Sequence, residues 1–188
     1  MEGTIRAPRG ETTRGTMAMG DIRRCIDSDF EMIYEIINDA AEAYRGVIPP
    51  DRWREPYMDR EELSNEIRDG ISFWGVDSGG RLAAVMGIQD RGEVTLIRHA
   101  YVRTGDQRTG LGTTLLRHLE GMTIRPILIG TWADATWAVA FYRANGYRLV
   151  TKREKDVLLR KYWRIPDRQV ETSVVLTNSD RMQEFVCL

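Results

Sequence analysis

The sequence predicts a mixed α/β (α+β) fold, in which helices flank a mostly antiparallel, partly parallel sheet. Segments with apolar residues at helical spacing alternate along the chain with short apolar runs that are typical of strands. Two of these runs, at 72–76 and 82–88, are joined by the tight turn Ser78-Gly79-Gly80, which favours antiparallel neighbours. The length of 188 residues suits one domain, which we place at residues 21–176.

The composition argues against several classes of protein. The chain has 27 Lys and Arg residues against 28 Asp and Glu, a net charge of −1, and therefore lacks the strongly basic balance of a general nucleic-acid binder. Cys25 and Cys187 lie near opposite ends, so they predict neither a disulfide framework nor a zinc site. No apolar run approaches the roughly 18 residues of a membrane helix. We therefore expect a cytoplasmic protein with no metal and no nucleic-acid or membrane partner.

Both ends of the chain are expected to lie outside the domain. Residues 1–20 combine glycine, threonine and scattered charge without apolar periodicity, which predicts a disordered tail. Residues 177–188 form a C-terminal tail, whose apolar Phe185, Val186 and Leu188 could dock on the domain or stay free.

The N-terminal part of the domain is predicted to contain one strand and two helices. Residues 21–26 predict the strand, and a capping box that begins at Ser28 opens the first helix. One apolar face follows at spacings of three and four residues, formed by Ile33, Ile37, Ala40 and Tyr44. A second helix begins near Asp59, with Glu62 three residues on, and ends at Gly70.

The remaining elements complete the sheet and cover it. Strands are predicted at 72–76, 82–88, 94–102, 127–129 and 172–176, and helical spacing covers 111–119. A helix over 135–144 ends at Asn145-Gly146, and its core face is formed by Trp137, Ala138 and Phe141. A further capping box, from Thr151 to Glu154, opens a helix that runs to Trp163.

A glycine-rich turn, Gln107-Arg108-Thr109-Gly110-Leu111-Gly112, joins the 94–102 strand to the next helix. Such a turn presents unpaired backbone N–H groups at the positive end of a helix dipole, and phosphate binds there. No Lys-Ser/Thr pair follows, and the third glycine of a dinucleotide fingerprint is missing, so neither of these phosphate loops fits. The structural alternative is a helix that is simply entered through a glycine turn.

A second motif, Phe141-Tyr142 followed by Gly146-Tyr147, lies at the end of a later helix. Together with the turn and the order of elements, it resembles the GCN5-related N-acetyltransferase (GNAT) superfamily over residues 20–176. The resemblance implies an enzyme that moves an acetyl group from acetyl-CoA to a primary amine by direct attack on the thioester. It also implies a splayed strand pair that forms the acyl-CoA cleft.

The resemblance assigns roles to single residues. The CoA pyrophosphate would be held by Gln107, Arg108, Thr109, Gly110, Leu111 and Gly112, with the hydroxyl of Thr113 beside them. The N–H of Val102 would polarise the thioester carbonyl. Tyr142 would protonate the departing thiolate, a role that suits a phenol because its ordinary pKa near 10 keeps it protonated at pH 7. This chain carries Ala135 where many family members have Asn.

The general base is sought on the strand that precedes the turn. His99 is a candidate because imidazole is the usual base near pH 7; a buried, hydrogen-bonded structural histidine is the alternative. Strand alternation sends His99 and Arg98 to opposite faces unless a bulge re-aims one of them. Glu93, acting through water, is a second candidate, whereas His118 is expected at the surface.

The acceptor, a small-molecule or peptide amine, is expected to meet the aromatic segment 44–58, which could receive it or pack over the sheet. Thr131 and Trp132 would line the same cleft, and Trp163 is expected in the core. The connection 164–170 could cover the acceptor end or form the contact of a homodimer. Two other functions stay open: a non-catalytic acyl-CoA-binding or sensing module, and a structural domain in which both motifs only pack.

Overall fold

The computed structural model describes residues 20–180 and Phe185. The predicted disorder of residues 1–19 and the roles of Val186 and Leu188 lie outside the described residues. Phe185 is half-buried and packs against an apolar cluster that contains Leu158 and Trp163.

In this part of the chain, seven strands form one sheet in the order β1-β2-β3-β4-β5-β7-β6. All neighbours are antiparallel except β4 and β5, which are parallel. The strands are β1 (Asp21–Arg24), β2 (Ser72–Asp77), β3 (Leu82–Asp90), β4 (Thr95–Val102), β5 (Ile127–Trp132), β6 (Arg148–Leu149) and β7 (Ser173–Thr177). The mixed, mostly antiparallel sheet confirms the predicted fold class.

Six α-helices accompany the sheet within the described residues. They are α1 (Phe30–Ala41), α2 (Arg60–Arg68), α3 (Leu111–Glu120), α4 (Thr136–Ala144), α5 (Lys152–Tyr162) and α6 (Asp167–Thr172). Two short elements, β6 and α6, were not predicted, because two and six residues are too few to show a periodicity.

Helices cover both faces of the sheet, and consecutive residues of β3 show the division. Val85 packs in a cluster with Ile36 and Ile37 of α1, whereas Met86 packs in another with Leu115 of α3. This alternation is that of a strand buried on both faces. The sheet is therefore the centre of the core, and functional residues can lie at the ends of its strands.

One of the two predicted capping boxes forms: the Thr151 hydroxyl accepts the N–H of Glu154 at 3.3 Å, and the Glu154 carboxylate accepts the N–H of Thr151 at 2.7 Å. At the predicted start of the second helix, the Asp59 carboxylate accepts the N–H of Glu62 at 2.7 Å. The box at Ser28 is wrong, because a 3-10 turn covers Asp27–Asp29 and α1 begins at Phe30.

Asp29 explains that difference. It is buried and its carboxylate accepts two hydrogen bonds from the Arg23 guanidinium, at 2.6 and 2.9 Å, and one from the N–H of Ile26 at 2.8 Å. The strand before the helix therefore sets where the helix starts.

The prediction for Trp137 is also wrong. This side chain is 43% exposed rather than part of a core face.

Candidate active site

The sheet opens between its two parallel strands. β4 and β5 pair only over Thr95–Ile97 and Ile127–Ile129. Beyond that point both strands continue, β4 to Val102 and β5 to Trp132, without pairing to each other. A cavity of about 550 Å³, the main cleft, lies at this opening. The splayed strand pair that the sequence led us to expect is present.

The segment 107–113, named here the amide turn, lies at one end of the main cleft. Arg108 and Gly110 have left-handed backbone conformations, with φ of +60° and +90°. Within the described residues, none of the backbone N–H groups of this segment donates to a protein acceptor. The first turn of α3 contains no acidic residue. Unpaired amides at a helix N-terminus and without a competing carboxylate fit an anionic phosphate group.

Side chains of the amide turn stabilise its conformation by hydrogen bonds to nearby backbone carbonyls. The Gln107 amide donates to the Val102 carbonyl at 3.3 Å, and the Thr109 hydroxyl donates to the Asp106 carbonyl at 2.5 Å. A Cβ at Gly112 would lie 3.4 Å from the Phe141 ring, so glycine lets α3 and α4 approach closely. Leu111 packs in the core, and Thr113 lies in the first turn of α3.

The backbone of Val102 faces the opening. The N–H of Arg103 donates to Ala83 of the neighbouring chain segment at 2.9 Å. Because successive residues of an antiparallel pair alternate between facing the partner and facing away, the N–H and C=O of Val102 point away from β3. The hydrogen bond from Gln107 to the Val102 carbonyl is consistent with this direction.

Tyr142 lines the main cleft from α4. Its ring contacts Phe141 and Tyr147 edge-on, with centroids 5.0 and 6.0 Å away. Burial raises the pKa of Tyr142, so the phenol keeps its proton at neutral pH. Ala135, at the start of the same helix, is fully buried and packs with Ile48 and Trp132.

A β-bulge re-aims the side chains of β4. Val85 pairs with Tyr101 and Gly87 with Arg98, so the two residues between them on β4 oppose one on β3. His99, at the bulge, has φ of +50°. As a result the simple alternation fails, and Arg98 and His99 both line the main cleft.

Glu66 of α2 contacts both of these side chains, and sequence reasoning missed it. Its carboxylate accepts a hydrogen bond from Arg98 at 2.6 Å and contacts the His99 Nε2 atom. Burial alone would raise the pKa of Glu66, but the charges and hydrogen bonds of His99 and Arg98 outweigh it and hold that pKa below its ordinary value. Glu66 follows the buried Leu63 by three residues, so helical spacing places it on the inward face of α2. This spacing is the sequence feature from which its position could have been predicted.

Two other candidates lie away from the cleft. The Glu93 side chain is 56% exposed and accepts hydrogen bonds from Tyr162 and Lys161, both at 2.7 Å, at the opposite end of β4. His118 is exposed on α3 and contacts the Trp74 ring in a tilted arrangement, with ring centroids 4.8 Å apart. Neither residue lines the main cleft, so His99 is the candidate base that the structure places there.

A smaller cavity of about 120 Å³, the aromatic cavity, adjoins the main cleft. Both cavities are lined by Tyr44, Arg98, His99, Tyr101, Gly130 and Thr131. Tyr57 stacks on Tyr44 at 5.8 Å, and its hydroxyl accepts the Trp132 indole N–H at 3.2 Å. The aromatic segment therefore packs over the sheet and lines a cavity at the same time.

The connection between α5 and α6 and the residue Gln169 of α6 lie at the far side of the aromatic cavity. Trp163, Ile165 and Gln169 line it there. Trp163 also packs with Leu159 as expected.

Among the described residues there is no cluster of His, Cys, Asp or Glu that could hold a metal ion. No helix of the described residues is long and apolar enough to cross a membrane.

Several solved structures share this fold. A PaiA N-acetyltransferase from Thermoplasma acidophilum, in complex with coenzyme A, has a TM-score of 0.65 and 18% identity over 85% of this chain and 98% of that chain. A GNAT-family acetyltransferase from Staphylococcus aureus has a TM-score of 0.63 and 17% identity, covering 85% and 99%. The ribosomal-protein-S18-alanine N-acetyltransferase from Escherichia coli has a TM-score of 0.57 and 19% identity, covering 85% and 92%.

Sequence comparison identifies the family. No curated protein matches the chain. The family model of the acetyltransferase (GNAT) domain, however, matches residues 38–158, which run from α1 through the amide turn and α4 into α5. The resemblance inferred from the two motifs is confirmed. The chain therefore belongs to the GNAT family of acetyltransferases, whose co-substrate is acetyl-CoA.

Proposed function

We propose that the protein is an N-acetyltransferase that moves the acetyl group of acetyl-CoA to a primary amine by direct attack on the thioester. One observation carries this proposal. A single cleft runs from the unpaired amides of residues 107–113 to the side chains of Tyr142 and His99. Phosphate-binding groups and candidate acid and base thus lie along one path.

The amide turn would hold the CoA pyrophosphate. Its donors are the backbone N–H groups of Gln107, Arg108, Thr109, Gly110, Leu111, Gly112 and Thr113. The exposed guanidinium of Arg108 and the hydroxyl of Thr113 can add to them. The donors are already oriented before binding, so little ordering is needed when the phosphates arrive.

The opening between β4 and β5 would hold the pantetheine arm. An extended chain with amide groups can pair there with the unpaired edge of β4, in the manner of an added strand. The N–H of Val102 faces this opening and would donate to the thioester carbonyl oxygen as negative charge develops on it. A backbone donor of this kind stabilises a transition state by about 3 kcal/mol.

His99 would act as the general base of the transfer and Tyr142 as its general acid. The amine nitrogen attacks the carbonyl carbon, the carbon–sulfur bond breaks, and an amide and the CoA thiol are formed. His99, held through Nε2 by Glu66, can accept the proton that the amine nitrogen loses at its other ring nitrogen. Tyr142 is protonated and can give its proton to the sulfur.

The test is acetyl-CoA binding followed by an amine panel read out as thiol release. We expect micromolar binding by calorimetry and thiol release that depends on both the amine and the enzyme. Tight binding without thiol release from any amine would instead favour an acyl-CoA-binding module. A lack of binding to both acetyl-CoA and CoA would overturn the proposal, since the amide turn would then be only a helix entry.

A further inference from the structure

The aromatic cavity carries information about the acceptor, and the inference drawn from it rests on the proposed function. We propose that the acceptor is a small primary amine with one ionisable nitrogen and an uncharged body about the size of a benzene ring. Its nitrogen would lie beside His99, where the aromatic cavity meets the main cleft, and its body would fill the aromatic cavity.

The charges around the aromatic cavity support a singly charged acceptor. No Asp or Glu is among the described residues that line it. Among those described residues Arg98 is the one Lys or Arg side chain, and the Glu66 carboxylate balances it at 2.6 Å. A second ammonium group on the acceptor would lose its water and find no counter-charge, which is strongly unfavourable.

The three tyrosines of the aromatic cavity add no negative charge. Burial raises the pKa of Tyr44, Tyr57 and Tyr101, so all three stay neutral at physiological pH. A lining that contains no carboxylate among the described residues favours the uncharged amine over the ammonium ion. The uncharged amine is also the form that attacks a thioester.

The size of the aromatic cavity limits the body of the acceptor. Its volume of about 120 Å³ is close to the roughly 150 Å³ of an engineered protein cavity that holds benzene. On the side away from the main cleft it is lined by Trp163, Ile165 and Gln169. A peptide chain is larger than this volume, so we expect only a small body to fit there.

The sharpest test compares butylamine with putrescine, which has the same carbon chain and a second amine. At equal concentration of acetyl-CoA, we expect kcat/KM from thiol release to be at least about tenfold higher for butylamine. Benzylamine is expected to match butylamine, and a peptide with N-terminal alanine to be a poor substrate. Equal or faster reaction of putrescine, or of the peptide, overturns this inference but leaves the proposed function intact. Thiol release with none of these four amines but with another amine of the panel overturns this inference alone, whereas thiol release with no amine of the panel overturns both.

A charge placed at Gln169, on the side away from the main cleft, gives an independent check. Gln169→Glu changes charge with almost no change in shape, and Gln169→Met is the matched uncharged control. We expect Gln169→Glu to raise kcat/KM for putrescine relative to butylamine by about tenfold, and Gln169→Met to leave the ratio unchanged. If Gln169→Glu leaves the ratio unchanged while acetyl-CoA affinity is intact, acceptors do not reach into the aromatic cavity, and the inference is wrong.

Discussion

The amide turn lies at one end of the main cleft, and the aromatic cavity adjoins that cleft where the candidate base lies. The two sites are built in different ways. The amide turn is one contiguous segment whose ligand groups are backbone N–H groups that donate to no acceptor among residues 20–180. The aromatic cavity draws its side chains from segments far apart in the sequence, and several of its polar groups already bond to each other, as Tyr57 does with Trp132.

This difference predicts two kinds of sensitivity to substitution. The amide turn depends on backbone conformation, so a change there should act on acetyl-CoA and leave the choice of amine unaffected. The aromatic cavity depends on packing, charge and side-chain hydrogen bonds, so changes there should act on the amine and on stability. Each of the following substitutions is chosen to separate these two effects.

The largest effect is expected from Gly110→Val. At φ of +90° a β-branched residue is strained, so the turn should move and its amides lose their common direction. Loss of two or three charge-assisted hydrogen bonds costs about 4 kcal/mol, which weakens acetyl-CoA binding by about 1,000-fold. Calorimetry measures this directly.

Gly105→Val is the matched control for that substitution. Gly105 lies five positions earlier in the same connection, a Cβ there has open space, and its φ lies outside the left-handed region. We expect binding of acetyl-CoA to remain within about twofold. Equal losses in both variants would mean that the whole connection, rather than the amides, matters for binding.

Site residues that lie in one contiguous segment are also the ones that can be predicted from the sequence. Gly110 and Gly112 are visible as a turn before a helix, and Tyr142 as part of a short motif, because local spacing encodes them. The contact of Glu66 with His99 joins residues of α2 and β4 and depends on a bulge that sequence alternation does not show. The same holds for Gln169, whose position follows from a six-residue helix with no periodic signal.

Tyr142→Phe should lower kcat about 100-fold, because a positioned general acid contributes on that order. The ring remains, so its contacts with Phe141 and Tyr147 and the affinity for acetyl-CoA should persist. Steady-state thiol release across pH 6–9, with acetyl-CoA affinity measured in parallel, tests both statements. A rate equal to that of the unmodified enzyme at every pH would remove Tyr142 from the mechanism.

Glu66→Gln should lower kcat about tenfold by leaving His99 without its anionic partner. It should also lower the free energy of unfolding at pH 7 by about 2 kcal/mol, because Arg98 is left buried without a counter-charge. The stability loss has a definite pH dependence. Since the pKa of Glu66 is lowered in the folded protein, its contribution is present above the ordinary carboxyl pKa and disappears as the pH falls through the lowered one.

Urea denaturation at pH 7 and pH 3 measures that dependence. The difference between the unmodified protein and Glu66→Gln should shrink from pH 7 to pH 3, because the carboxyl of the unfolded chain becomes protonated below its ordinary pKa and the stabilising contribution decreases. A difference that is equal at both pH values would mean that the Glu66 charge does not stabilise the fold. Acetyl-CoA affinity should be unchanged at pH 7, because Glu66 does not line the main cleft.

The smallest effect is expected from Tyr57→Phe, which removes one hydroxyl and keeps the ring stacked on Tyr44. The buried Trp132 indole N–H then loses its acceptor, at a cost of about 1 kcal/mol in the free energy of unfolding. Because this contact shapes the aromatic cavity and is remote from residues 107–113, KM for the amine should rise about threefold while acetyl-CoA affinity stays constant. A change in acetyl-CoA affinity instead would show that the two ends of the cleft are coupled, and that the difference in construction described above does not separate their functions.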